Sequence, residues 1–448
     1  MTDNAQNRLD LLAQLVARAR KAGAEAADAV FIEGTSLSTL CRLGKTEKLE
    51  RSEGHDLGLR VFLGHRQAFV SSNERSSAAL EELVARTLAM ARTVPEDPYC
   101  GLADPALITR SWPQLDMLDK EEPLAETLIE RARAAEEAAL AVKGVANSEG
   151  AEAAWGKSSA ALFASNGFAG AFGGSNHALS VSVIAGEGSA MERDDDFSSA
   201  VYGADLALPE VVGRNAGARA VRRLGARKMA TGAYPVVFDP RVARSFISHF
   251  LSAISGPSIA RGTSFLQDRL GKPVFPEAIT IREDPHRPRG LRSRPFDAEG
   301  LANRPRALID QGVLSTWLLD LSSARQLHLP PTGHAVRGTS SPPAPSATNV
   351  WIEPGKMSPK ELMADIESGF YVTELIGFGV NGVTGDYSRG AAGFWIEKGE
   401  VAFPVSEVTI AGNLKDIFAR LAAANDLEFK TGVDSPTLRV DGLTLGGS

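Results

Sequence analysis

Apolar residues at helical spacing open the chain, and strand patterns follow them. They recur every three or four positions at Leu9, Leu12, Val16 and Ala19. This period predicts an amphipathic helix that ends near Gly23, and the same period predicts a second helix over residues 76–92. Between the two helices the pattern predicts strands with turns at Gly54 and Gly64. Together these elements predict an N-terminal α/β domain over residues 1–112.

Two further domains are predicted after a proline-rich linker, TVPEDPYCGLADP. Residues 113–230 begin with an Ala/Glu-rich helical segment and continue with strands of small residues, which predicts a central α/β domain. Residues 231–448 are dominated by strand patterns. The predicted class is α+β: N-terminal α/β domains with a mixed sheet, followed by a mainly antiparallel, strand-rich C-terminal domain.

Local signals in the C-terminal part are specific. Hairpin turns are predicted around Gln311 and Lys398, each of which precedes a glycine. Ser358 is placed as the N-cap of a short helix, and Glu361 completes a capping box with it. A last helix is predicted to start after Asn413.

Composition and charge limit the function classes. The chain has 448 residues, 43% of them hydrophobic, and a net charge of -7 at pH 7. This acidic balance lacks the basic footprint of a nucleic-acid-binding protein. Cys41 and Cys100 are too few for a disulfide framework. Because no signal peptide and no run of about 20 apolar residues is evident, we expect a cytoplasmic protein that does not bind membranes.

A long C-terminal segment carries a specific family resemblance. ELIGFGVNGVTGDYSRGAAGFWIEKGEVAFPVSEVTIAGNL resembles the closing segment of the TldD/PmbA family, known as gyrase modulators and U62-like peptidases. Four more segments agree with it: GLRVFLGHRQAFVSS, SHFLSAISGPSIARGTSFL, RPFDAEGLANRPRALIDQGVLSTWLLDLSSARQL and TNVWIEPG. The resemblance spans essentially the whole chain and is greatest to the PmbA branch, also called TldE.

The resemblance implies a division of labour between two kinds of chain. TldD-type chains carry an HExxxH helix whose histidines bind zinc and whose glutamate is the general base. TldE-type chains lack this motif and pair with a TldD-type chain. The resemblance therefore implies a heterodimeric metallopeptidase that trims unfolded or leader peptides, with zinc in the partner and no cofactor in this chain. A homodimer is a further possibility.

His249 stands where the resemblance would place the zinc motif. A catalytic zinc site needs about three protein ligands and a base for its water. If His249 is the first motif histidine, Phe250 and Ile254 occupy the glutamate and second histidine positions. If His249 is at the glutamate position, Ser248 and Ala253 replace the histidines. We therefore predict a packed or hydrogen-bonded histidine, a relic of the motif, and no catalytic or metal-binding residue in this chain.

The segment GDYSRG is the candidate substrate-binding site. Its candidate residues are Asp386, Tyr387, Ser388 and Arg389. Arg389 could hold a carboxylate with two hydrogen bonds while Asp386 accepts amides of a bound peptide. The alternative is a turn led by Asp386 with a solvated arginine. The resemblance implies that this segment faces the active cleft.

Two charged segments allow simpler interpretations. IREDPHRPRGLRSRPF contains the basic residues Arg282, His286, Arg287, Arg289, Arg292 and Arg294. It is predicted to be a solvated surface loop, with binding to an acidic partner surface or to nucleic acid as the alternatives. MERDDDF contains the acidic residues Glu192, Asp194, Asp195 and Asp196. It is predicted to be a charged turn, with a divalent-ion site as the alternative.

Three functional hypotheses follow. The first is a non-catalytic subunit of a TldD/TldE-type metallopeptidase, whose C-terminal domain pairs an extended peptide along a strand edge. The second is a free-standing regulatory or binding protein of the gyrase-modulator type. The third is an autonomous metallopeptidase with an unrecognised ligand set.

Overall fold

The computed structural model describes residues 3–447. Within this range the helices are α1 (Asp3–Lys21), α2 (Ser77–Thr93), α3 (Ala125–Leu140), α4 (Pro209–Arg222), α5 (Pro240–Ala253), α6 (Gly256–Ala260), α7 (Leu321–Leu327), α8 (Pro359–Met363) and α9 (Leu414–Ala419). None of these helices is long and apolar enough to cross a membrane.

The strands outnumber the helices. They are β1 (Ala26–Arg42), β2 (Lys45–Leu63), β3 (Arg66–Ser72), β4 (Val145–Ala164), β5 (Ala169–Ala185), β6 (Glu192–Ala200), β7 (Gly232–Phe238), β8 (Ile281–Asp284), β9 (Arg306–Asp310), β10 (Val313–Leu314), β11 (Ala335–Val336), β12 (Ala344–Pro345), β13 (Asn349–Ile352), β14 (Ser368–Val380), β15 (Asp386–Glu397), β16 (Glu400–Asn413), β17 (Ala422–Ala423), β18 (Val433–Asp434) and β19 (Leu438–Gly446). The predicted α+β class is confirmed.

Six long strands form the first sheet, in the order β3-β2-β1-β4-β5-β6. All of its pairs are antiparallel, and β1 pairs with both β2 and β4. The segments before and after the linker therefore share one sheet. Gly54 does not form the predicted turn, because it lies inside β2 opposite Gly34. Gly64 does form one, with φ of 56°.

Helices cover one face of this sheet, and the C-terminal part contacts the other. α1 packs on β1 and β4, and α2 packs on β2 and β3. α3 packs on β1, β4 and β5, and α4 packs on β5 and β6. On the opposite face Phe168 meets Phe296 with ring centroids 5.1 Å apart, and the ring of Trp112, between α2 and α3, lies 4.7 Å from that of Phe296. These aromatic contacts join the first sheet to the C-terminal part.

The C-terminal part is built on a closed barrel. Its strands follow the order β16-β15-β14-β7-β19, and β16 also pairs with β19. A second sheet has the order β10-β9-β8-β13-β18. Both contribute to one hydrophobic core, in which α5 buries Phe246, Ile247 and Phe250. Two strand pairs in these sheets are parallel, β7 with β14 and β13 with β18.

Glu283 connects β8 to the residues that immediately precede β11 and β13. Its carboxylate accepts the backbone N–H of Thr348 at 2.7 Å and the Nε2–H of His334 at 2.7 Å. Burial alone would raise the pKa of Glu283, but the hydrogen bonds from His334 and Thr348 lower it to about 2. The ionised form is therefore the one that the fold stabilises.

We expect Glu283→Gln to reveal this stabilisation as a pH-dependent difference. A lowered folded-state pKa adds stability above the unfolded value of 4.5 and loses it as pH falls toward 2. The variant should thus be less stable than the original chain by ~3 kcal/mol near neutral pH. Denaturant unfolding at stepped pH should show this gap closing below pH 4.5. A gap that stays constant with pH would contradict the assignment.

Candidate functional site

Helix α5 positions His249. Asp239 caps the helix by accepting the N–H of Arg241 at 2.9 Å, and Pro240 occupies the first helical position. The apolar face of α5 is turned into the core. His249 lies beside that face and is half-buried.

Tyr387 and Arg389 surround the imidazole of His249. The rings of His249 and Tyr387 meet edge to face with centroids 6.1 Å apart. The Nε2 atom of His249 is buried and has no hydrogen-bond partner among the described residues. Burial, and then the positive charge of Arg389, lower the pKa of His249. The imidazole is therefore held neutral.

This environment does not fit a zinc ion. Ser245 and Ala253 stand one helical turn before and after His249, and neither is a good zinc ligand. The charge of Arg389 beside the imidazole opposes a cation. Nowhere within residues 3–447 do three or more His, Cys, Asp or Glu side chains come together as a metal site requires.

The GDYSRG segment is the start of strand β15. The alternation of a strand places Asp386 and Ser388 on one face and Tyr387 and Arg389 on the other. The structure therefore brings two of the four predicted residues to His249 and separates the other two from it. Only Gly385 keeps a turn conformation, with φ of 87°.

Asp386 is occupied within its own hairpin. Its carboxylate accepts hydrogen bonds from the Thr384 hydroxyl at 2.6 Å and the Asn413 amide at 3.1 Å. These two hydrogen bonds lower the pKa of Asp386. Ser388 is exposed beside it.

Arg389 is held by neutral groups. Its Nε donates to the carbonyl of Ile376 at 3.2 Å, and its Nη2 donates to the carbonyl of Leu375 at 3.4 Å. The guanidinium lies 6.0 Å from the ring centre of Phe378. Arg389 is thus fixed in place without a carboxylate partner in the described part of the chain.

The neighbouring strand β14 has a free edge. β7 pairs with β14 only from Phe370 to Val372, whereas β15 accompanies β14 as far as Val380. Beyond Val372, no described strand pairs with β14 on the side away from β15. Such an edge can receive an extended peptide as an added strand.

Exposed apolar side chains extend from this hairpin. Phe378 is 97% exposed, Ile376 57% and Val383 53%. Large apolar groups that are this exposed and this close together indicate a contact surface. Sequence reasoning missed them, although the apolar run LIGFGV carried the signal.

The two charged segments differ from their predictions. MERDDDF is mostly strand β6, and Asp194 is buried between Arg241 at 2.7 Å and Arg223 at 3.7 Å. The MERDDDF segment is therefore not a turn, and Asp194 is not free to bind a cation. In the basic segment Arg289 bonds Asp116 and Asp205, at 2.8 Å and 2.9 Å.

The predicted solvated loop is wrong for Arg294, which is largely enclosed and donates to the carbonyl of Ser346 at 2.6 Å. Burial lowers the pKa of its side chain. Arg292 is exposed, as predicted, but it also donates to a carbonyl, that of Ala347, at 3.3 Å. The segment therefore holds parts of this chain together.

A separate cavity of 1110 Å³ adjoins the first sheet. Trp112 and Phe172 line it together with Gly34 and Gly54. A Cβ placed on Gly54 would meet no atom within 4 Å, so this glycine leaves space open. None of the predicted site residues lines this cavity. The signal for it in the sequence was the pair of glycines, Gly34 and Gly54, inside strand patterns.

Three family models match consecutive parts of the chain. They are described as PmbA/TldA metallopeptidase domain 1 for residues 27–91, central domain for residues 119–224 and C-terminal domain for residues 231–447. Metalloprotease PmbA of Escherichia coli O157:H7 is 37% identical over 94% of this chain and 92% of its own length. A PmbA homolog of Haemophilus influenzae is 36% identical over 96% of this chain and 94% of its own length.

Solved structures show the same architecture. A protein from Bacteroides thetaiotaomicron, described as a modulator of DNA gyrase, has a TM-score of 0.90 at 28% identity and 98% coverage of both chains. TldE of Thermococcus kodakarensis has a TM-score of 0.87 at 19% identity, covering 98% of this chain and 100% of its own. The second likeness concerns the fold alone.

Proposed function

Because the chain belongs to the TldD/PmbA family, we propose that it is a TldE-type subunit of a two-chain metallopeptidase. In this proposal the zinc and the general base belong to a TldD-type partner. The present chain contributes assembly and peptide binding. The expected substrates are unfolded or leader peptides.

One observation carries the non-catalytic assignment. The helix where a metal motif is expected presents a single neutral histidine beside a fixed arginine. A hydrolytic zinc site needs several ligands and a carboxylate base, and no acid takes that place on α5. The name metalloprotease, given to the relatives, would then describe the assembled enzyme.

The β14–β15 hairpin supports a peptide-binding role. Its free edge offers backbone hydrogen bonds to an extended chain, and Phe378 and Ile376 offer apolar contacts beside that edge. Arg389 adds a fixed positive charge on the neighbouring strand. We propose that a substrate peptide lies along this edge at the junction with the partner.

Co-purification followed by metal analysis of each subunit tests the assignment. We expect a stable complex with a TldD-type chain, about one zinc in that partner and none held by the present chain, since α5 lacks a ligand set. The His249→Ala variant serves as the control and should not change the metal content. About one zinc per present chain, lost in His249→Ala, would instead favour an autonomous metallopeptidase. Absence of any complex would favour a free-standing binding protein.

A further inference from the structure

The rings of Tyr387 and His249 lie edge to face beside helix α5. Tyr387 lies against α5, with its ring 5.7 Å from that of Phe246 and 6.1 Å from the imidazole of His249. Arg389 extends from the same face of β15, two residues further along. A helix and a strand therefore bring three hydrogen-bonding side chains together.

Two of these groups are buried without a partner. Tyr387 is 1% exposed, and neither its hydroxyl nor Nε2 of His249 has a hydrogen-bond partner among the described residues. Buried polar atoms in native proteins are almost always hydrogen-bonded. Two unsatisfied groups on adjoining rings therefore indicate that something outside the described chain completes them.

The chemistry of the three groups selects the class of ligand. Burial raises the pKa of Tyr387, so its phenol remains a neutral donor, and the neutral imidazole of His249 can donate from Nε2. Arg389 uses two nitrogens on neutral carbonyls and keeps Nη1 for another acceptor. The region thus offers donors and one positive charge.

Nearby acids do not neutralise this charge. Asp386 points to the opposite face of β15 and is bonded to Thr384. Glu374, on the adjacent strand, is bonded to Arg223. A single planar guanidinium flanked by neutral donors matches a monovalent planar anion, whereas a phosphate dianion would call for more positive charge.

We propose that Arg389, Tyr387 and His249 form a binding site for a carboxylate group of the bound peptide. The carboxylate is either the C-terminus of the peptide or the side chain of an aspartate or glutamate. The exposed rings and methyl groups of Phe378 and Ile376 contact an apolar side chain next to it. This inference rests on the proposed peptide-binding function and names the group that is recognised.

Direct titration of the purified chain tests the site apart from catalysis. Acetylated peptides ending in phenylalanine are compared as free acids and as C-terminal amides, and a second pair exchanges an internal aspartate for asparagine. We expect one acid of the two pairs to bind about tenfold more tightly than its neutral counterpart. The pair that discriminates identifies the source of the carboxylate.

Variants assign the effect to the three side chains. Tyr387→Phe removes only a hydroxyl and should cost about fivefold in affinity for the acid, with folding unchanged. Arg389→Gln should remove the preference for acid over neutral peptide. Arg227→Gln is the matched control, because Arg227 also lies over a barrel aromatic, Phe403, at 4.2 Å.

The results that would overturn the carboxylate site can be told apart from those that would reject the proposed function. Equal affinity for acid and neutral peptides would overturn the carboxylate site even if the two-chain enzyme is active. So would an unchanged preference in Arg389→Gln, or a crystal structure of the peptide complex in which only water contacts Tyr387 and His249. A preserved acid preference in a chain that never supports cleavage would leave the site intact and reject the two-chain enzyme.

Discussion

Replacing Asp28 by asparagine should lower the free energy of unfolding by about 3–5 kcal/mol. Arg60 places its Nε 3.1 Å and 3.2 Å from the two carboxylate oxygens of Asp28, and Arg337 bonds one of them from the C-terminal part. All three side chains are at most 3% exposed. Without this carboxylate, the remaining acid near the two buried guanidinium groups is Glu299, and burial raises the pKa of Glu299 to about 8, so that it is mostly neutral at pH 7.

The pKa of Asp28 agrees with this expectation. Burial would raise it, but the charges of Arg337 and Arg60 bring it below the ordinary value of 3.8. The stabilisation is therefore present above that value and lost as pH falls through the lower folded-state pKa. Denaturant midpoints near neutral pH measure the cost.

An exposed ion pair provides the matched control for Asp28. Glu53 bonds Arg51 at 2.9 Å on the same hairpin, but both side chains are largely exposed. Glu53→Gln should leave the unfolding midpoint unchanged, because water already screens this pair. If Asp28→Asn lowers the free energy of unfolding by less than about 1 kcal/mol, the cost of burying the three charges cancels their mutual attraction.

Peptide cleavage should depend completely on a second chain. Alone, the purified protein should show no turnover, because the neutral His249 has no carboxylate base beside it on α5 and belongs to no cluster of metal-ligating side chains within residues 3–447. Adding a TldD-type chain should produce chelator-sensitive cleavage. Replacing the motif glutamate of that partner should lower kcat by at least about 10²–10⁴-fold.

His249→Ala separates binding from chemistry within the assembled enzyme. If His249 contacts only the bound peptide, the variant should raise KM and leave kcat nearly unchanged. Chelator-sensitive cleavage by the present chain at high purity, abolished in His249→Ala, would contradict the division of labour.

Local signals in the sequence located several elements well. Ser76 caps α2 through the N–H of Ala79, and Asn413 caps α9 through the N–H of Lys415. The capping box between Ser358 and Glu361 is present, although α8 is only five residues long. These predictions succeeded because a cap is decided by groups three or four residues apart.

Long-range pairing was beyond the same reasoning. Gly54 resembles a turn residue, but it lies inside β2 and pairs with Gly34 of β1. On its other side Gly34 pairs with Ser158 of β4. The acidic residues of β6 resemble a solvated turn, but Arg223 and Arg241 neutralise Asp194. In each case the deciding partner is distant in sequence, so the local composition gave no indication of it.

The sequence by itself determined the α+β class, the family resemblance and the absence of an HExxxH pattern around His249, because each depends on residue identity or on short spacing. Only the tertiary structure decided which GDYSRG residues reach that histidine. Strand alternation turns Tyr387 and Arg389 toward α5 and Asp386 away, and the free edge of β14 arises from where β7 stops pairing. Side-chain direction and strand partnership are set by packing between distant segments, so the local composition of GDYSRG does not reveal them.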